Sequence, residues 1–119
     1  MADIPVSVCE TTLFQRTAAE IMAPTDVEEL IIQVACNPEA GDVIPGTGGI
    51  RKLRWRRPGH GKRGGARIIY YYRDRSLPLL MLLAYRKSAA ADMTAGQKRR
   101  MAGLVSDFVR AHKQRRWKK

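Results

Sequence analysis

Seven residues, Gly61 to Arg67, read "GKRGGAR", three cations and three glycines in one short stretch. Positive charge on pliable backbone is suited to an anion with many oxygens, because glycine lets the main chain approach closely and lysine and arginine supply the counter-charge. A nucleotide-binding Walker loop needs G-x-x-x-x-G-K-[ST]; position 56 is arginine and Arg63 follows Lys62, so that reading fails. What remains is a phosphate-contacting loop or a hairpin whose tip happens to be basic.

Further cations flank this loop. Lys52 and Arg54 are two positions apart, which puts them on one face of an extended strand. Arg67 opens the next apolar stretch, and Lys87 follows a third. If the three strands are neighbours, these four side chains converge. Converging cations can hold a phosphate and stabilise the extra negative charge of its transition state. A solvated polar sheet face is the alternative. Tyr70, Tyr71 and Tyr72 alternate across the second strand, so at least one belongs to a core; another, like Tyr85, is placed to stack on a base or move a proton. His60 lies between two glycines, a poor mount for a general base, and it is far in sequence from His112. No carboxylate cluster accompanies either histidine, so neither metal nor cofactor is expected.

The elements that must carry these residues follow from periodicity. Residues 4–10 read as a short strand or an irregular arm. Thr12-x-x-Gln15 offers a capping box for a first helix ended by Pro24, and Thr25-x-x-Glu28 another for a second, with Val27, Leu30, Ile31 and Val34 as its apolar stripe. Strands are expected over Ile50 to Trp55, Arg67 to Arg73 and Pro78 to Tyr85, the last two joined as an antiparallel hairpin by "DRS". Thr94-x-x-Gln97 caps a last helix with Met101, Leu104, Val105, Phe108 and Val109 as its stripe, and "KQRRWKK", about 113–119, reads as a basic tail. The class is α+β: a small antiparallel sheet with two N-terminal helices and a C-terminal one, in a single domain over 1–119.

The bulk composition agrees with a polyanionic ligand. The 119 residues carry a net charge of +11, but residues 1–50 hold −7 and residues 51–119 hold +18. RNA or DNA is the leading class of partner for such a split. Cys9 and Cys36 lack the spacing of a metal or redox motif and read as buried thiols of a cytoplasmic protein. No signal peptide is read, and the longest apolar run, Leu77 to Tyr85, is too short to span a bilayer as a helix.

"NPEAGDVIPGTGGIRKLRW", then "GKRGGARIIYYY", then the apolar strand ending "YRK" resembles the RelE/HigB branch of bacterial type II toxins, over about Glu10 to Arg110. The resemblance implies a compact microbial RNase fold with a curved antiparallel sheet. It implies a ribosome-dependent mRNA endoribonuclease acting in the ribosomal A site, held inactive by a helix-turn-helix antitoxin. Attack of a ribose 2′-OH on the adjacent phosphate would leave a 2′,3′-cyclic phosphate and a 5′-OH, without a metal. By position, Lys52 or Arg54 would orient or deprotonate the 2′-OH, and Arg67 and Lys87 would bind phosphate oxygens. Lys62 and Arg63, with Arg51 and Arg56, would contact RNA backbone. Better-studied members place a catalytic tyrosine near the C-terminus; this chain has none after Tyr85, so Tyr85 or Lys52 would substitute. Two other functions stay in view: a ParE-like poison of DNA gyrase, and a relative that binds RNA or ribosomes without cleaving.

Overall fold

The computed structural model describes residues 4–56, 65–86 and 94–117, with side chains described up to Lys113 in the last stretch. The order of elements is β1 (Val8–Glu10), α1 (Thr12–Ile21), α2 (Pro24–Cys36), β2 (Asp42–Val43), β3 (Ile50–Trp55), β4 (Ala66–Tyr71), β5 (Leu79–Arg86) and α3 (Ala95–Trp117). The strands form one sheet in the order β1-β5-β4-β3-β2. The fold is α+β, as the periodicity indicates. The expected antiparallel pairing holds from β2 through β5, but β1 runs parallel to β5, so the sheet is mixed.

Both faces of the sheet are covered. On one, Phe14 and Ala18 of α1 and Leu30 and Val34 of α2 pack against Trp55, Ile68, Tyr70 and Met81. On the other, Met101 of α3 packs with Ile50, Ile69, Tyr71, Leu80 and Leu82, and Leu104, Val105 and Phe108 join at the margin. This explains why the Pro78 to Tyr85 segment reads as a continuous apolar run: β5 is a central strand covered on both sides, and most of its residues are buried. At the turn joining them, Asp74 accepts a 2.8 Å hydrogen bond from the Ser76 N–H, the side-chain-to-backbone closure that favours Asp there.

Local signals were displaced by one or two residues at both N-terminal helices. The cap of α1 is Thr11, not Thr12; its hydroxyl accepts from the Phe14 N–H at 3.0 Å and donates to the Met81 carbonyl at 2.9 Å. Helix α2 starts at Pro24, a residue whose missing N–H and fixed φ suit the first helical position; its N-cap is Ala23, which has no side-chain acceptor, and the Asp26 N–H donates to the Ala23 carbonyl at 3.0 Å instead. The Thr94–Gln97 box forms as expected, with reciprocal bonds of 2.9 and 3.1 Å. Helix α3 continues through Trp117, taking in most of the expected tail. Cys9 is half-buried and Cys36 is exposed, so the expectation of two buried thiols is corrected. Among the described residues no helix is long and apolar enough to cross a membrane.

Candidate functional site

The register of the sheet decides which cations meet. Arg54 of β3 stands directly opposite Arg67 of β4, and Arg67 directly opposite Tyr85 of β5. One step further along, Lys52, Ile69 and Leu83 form the adjoining row. Alternation assigns the faces. Leu53 and Trp55 pack with α1 and α2, so Lys52 and Arg54 lie on the opposite face, the one that α3 partly covers. Ile69, Tyr71 and Tyr85 pack on that same α3 face, which places Arg67 there too.

Tyr85 reaches this face because β5 is irregular. Leu79 and Met81 face α1 and α2, and an unbroken alternation would send Tyr85 the same way. A bulge intervenes: Ile69 pairs Leu83 while Tyr70 pairs Met81, which leaves Leu82 as an extra residue. Leu82 and Leu83 both pack on the α3 face, Ala84 returns to the other, and Tyr85 is swung beside Arg67. The bulged strand is held from its outer edge, where the Ala84 N–H donates to the Thr17 hydroxyl at 3.1 Å.

The Arg54–Arg67 pair is electrostatically unfavourable on its own. The Ile50 carbonyl accepts from the Ile44 N–H at 2.8 Å, so Ile50 directs its backbone toward β2. Arg54, four residues on, shares that orientation, and its pairing with Arg67 is of the kind that exchanges no backbone hydrogen bonds. Such pairs bring Cα atoms to about 4.5 Å and side chains close together. Like charges directly opposite destabilise a sheet. Among the described residues no carboxylate pairs with either guanidinium. Arg54 is exposed and Arg67 half-buried. Beside them, the buried Tyr85 hydroxyl has no hydrogen-bond partner among the described residues. Two guanidinium groups with no carboxylate partner among the described residues and an unsatisfied hydroxyl thus lie in register on one face, a set of charges and donors complementary in kind to an oxyanion.

Lys52 is half-buried on the same face, with Asp42 of β2 opposite it. Arg56 is exposed just past β3, its side chain lying over Gly65, where a Cβ would come within 3.6 Å of the Arg56 Cγ. Arg51 stands apart. It is on the α1–α2 face, where its guanidinium donates to the Gly41 carbonyl at 2.7 Å and the Glu39 carbonyl at 3.3 Å, with the Glu39 carboxylate 3.8 Å away. Arg51, expected to contact RNA backbone, thus lies on the face opposite Lys52 and Arg54, where it braces the 39–41 segment. Lys87, Lys62, Arg63 and His60 lie outside the described residues.

None of the three consecutive tyrosines joins the row. Tyr70 and Tyr71 are buried on opposite faces, and Tyr72 packs half-buried toward α1 and α2. Burial pushes the Tyr70 hydroxyl above its ordinary value. Gly49, at φ +121°, lies against the Tyr71 ring, where a Cβ would stand 3.2 Å from it. Neither the bulge nor the Arg51 brace has a local sequence signature that would have revealed it. His112 meets Phe108 in a tilted ring contact, with centroids 4.4 Å apart and planes at 50°, and its Nδ1 lies 3.0 Å from the Phe108 carbonyl within α3. Among the described residues no three His, Cys, Asp or Glu side chains gather as a metal would require.

Charge is segregated between the two sides of the sheet. Glu20, Glu28 and Glu29 are exposed on α1 and α2, whereas the arginine row and the cations of α3 lie on the other side. An approaching polyanion is drawn to one side and repelled from the other.

No protein-family model matches the chain. Among solved structures it is similar to a mutant of the E. coli toxin RelE in the free state, at 18% identity and a TM-score of 0.49, over 74% of this chain and 90% of that one.

Proposed function

We propose that this protein is the toxin of a type II toxin–antitoxin pair, an endoribonuclease that cuts mRNA on the ribosome. The observation that carries the reading is the Arg54–Arg67 pair, two guanidinium groups opposed across adjacent strands with no carboxylate between them among the described residues. A phosphodiester bound there turns a repulsive pair into an attractive site. The motifs "GTGGIRKLRW" and "GKRGGAR" support the same reading through their resemblance to the RelE/HigB branch.

In this mechanism Arg54 and Arg67 clamp the non-bridging oxygens of the scissile phosphate. The 2′-oxygen attacks phosphorus as Lys52 or Arg54 orients or deprotonates the 2′-OH, and the bond to the 5′-oxygen breaks as that oxygen takes up a proton. The products are a 2′,3′-cyclic phosphate and a 5′-OH. The charge that accumulates on phosphorus oxygens in the transition state is met by cations already in place, the largest contribution such a site can make. The Tyr85 hydroxyl, buried and unpaired, donates to the phosphate or to the departing 5′-oxygen. Lys87, Lys62 and Arg63 supply further backbone contacts, and a helix-turn-helix antitoxin holds the enzyme inactive in the cytoplasm.

Inducible expression in bacteria, with mapping of transcript 5′ ends, tests this. Translation should stall, and new ends bearing 5′-OH should fall within translated messages and require ribosomes. Growth arrest with intact mRNA and induced DNA damage would transfer the protein to the gyrase-poison class. Ribosome association with no cleavage would make it a binding module.

A further inference from the structure

We propose that the outer face of α3 is a docking surface for double-helical RNA, separate from the Arg54–Arg67 row. Helix α3 carries seven cations and a single acid, Asp107. Its apolar stripe is occupied, since Met101, Leu104, Val105, Phe108 and Val109 pack on the sheet. At 3.6 residues per turn, the opposite side presents Arg99, Arg110 and Lys113, all exposed. Lys98 and Arg100 flank this face and are exposed as well. No carboxylate among the described residues pairs with Lys98, Arg99 or Arg100; Arg110 alone has one, Asp107, at 3.8 Å and in solvent.

The spacing suits a groove. Arg99 and Arg110 are eleven residues apart, three turns, so their attachment points are separated by about 16 Å along the axis. Between them, on the same side, lie Ala102, Gly103 and Ser106, exposed and small, and a Cβ built at Gly103 meets nothing. A cation at each end and a flat middle match the wide, shallow minor groove of an RNA duplex, with a phosphate row on either side and 2′-hydroxyls between. An anionic membrane fits less well. A helix that binds a lipid surface needs a free apolar face, and this one is occupied, with Met101 buried and Leu104, Val105, Phe108 and Val109 packed half-buried against the same core. The α3 face and the arginine row lie on the same side of the sheet, so one structured RNA can dock on the helix while a single strand reaches the row.

This inference rests on the reading of the protein as directed at RNA, but not on its being a nuclease. The test compares the full chain with the variant R99Q/R110Q/K113Q in binding two probes, an RNA duplex of about twenty base pairs and a single-stranded hexanucleotide. Duplex affinity should fall roughly tenfold or more, with a salt dependence shallower by about two to three charges, while single-strand affinity changes by less than about twofold. Arg67→Ala should do the reverse. The pair R99K/R110K, which keeps the charge, should retain duplex binding. Equal losses for both probes, unchanged duplex binding, or a wild-type preference for phosphatidylserine vesicles or an acidic peptide over duplex would overturn the proposal. Absence of cleavage in the transcript mapping would count against the nuclease reading and leave this binding test intact.

Discussion

The hydroxyl of Tyr70 accepts a hydrogen bond from the Gly41 N–H at 2.8 Å, deep beneath the α1–α2 face and 29 positions away in sequence. The same hydroxyl donates to the Pro38 carbonyl at 2.8 Å. One side chain of a central strand thus satisfies two backbone groups of the connector that leads into β2. Tyr70→Phe keeps the ring but orphans both groups, at a cost of about 2 kcal/mol. Thermal unfolding should show the midpoint falling by about 5–10 °C. Burial raises the hydroxyl above its ordinary value of 10. A group whose proton is held more tightly in the folded state stabilises fully below its unfolded value and loses that contribution as pH rises above it. Wild-type stability should therefore decline above about pH 10 by an increment that Tyr70→Phe does not show.

Replacing either arginine of the row should separate activity from stability. Arg67→Ala and Arg54→Ala each remove one half of a like-charged cross-strand pair, so folding stability at low salt should hold or rise by about 0.2–1 kcal/mol. Cleavage should fall roughly 100-fold or more, because a fixed charge facing the transition state is lost. Denaturant titration and cleavage rates on the same samples check both halves. Loss of activity accompanied by unfolding would place Arg67 among the scaffold residues.

Tyr85 and Tyr70 give opposite expectations for the same substitution. The Tyr85 hydroxyl is buried without a partner, so Tyr85→Phe removes a desolvated polar group and should leave stability unchanged or improve it by about 1 kcal/mol. If that hydroxyl moves a proton or orients the leaving oxygen, cleavage should drop by about 100-fold. An active Tyr85→Phe enzyme would reduce the tyrosine to a wall of the site.

How much of this was legible beforehand depends on which interaction sets each feature. Lys52 and Arg54 share a face because a strand has period two, and that is local. Arg67 meets Arg54 only through the register across residues 56–65, which spacing suggests but does not fix. Tyr85 was nameable as a polar group on an apolar strand, yet its face depends on the extra residue Leu82, and a bulge inside a run of leucines leaves no mark in the pattern. The parallel pairing of Val8–Glu10 is likewise a tertiary event, stabilised by bonds such as Leu79 N–H to the Ser7 carbonyl at 2.8 Å. Thr11 prevailed over Thr12 as a cap because its hydroxyl also reaches the carbonyls of Met81 and Leu82, a partner no local rule supplies.

Arg51 shows what one position along a strand changes. It neighbours Lys52 in sequence and carries the same charge, but it emerges on the other face and its guanidinium is engaged by the Gly41 and Glu39 carbonyls. Arg51→Met should therefore act on folding. Losing bonds to a charged donor and orphaning the Gly41 carbonyl should cost about 2 kcal/mol, partly offset because its Nε is already buried without a partner. The midpoint should fall, while RNA affinity per folded molecule and its salt dependence should match wild type. Equilibrium unfolding paired with a salt titration of RNA binding checks this. A shallower salt slope with unchanged stability would return Arg51 to the RNA-contacting set, since removing a phosphate contact reduces that slope by about one charge.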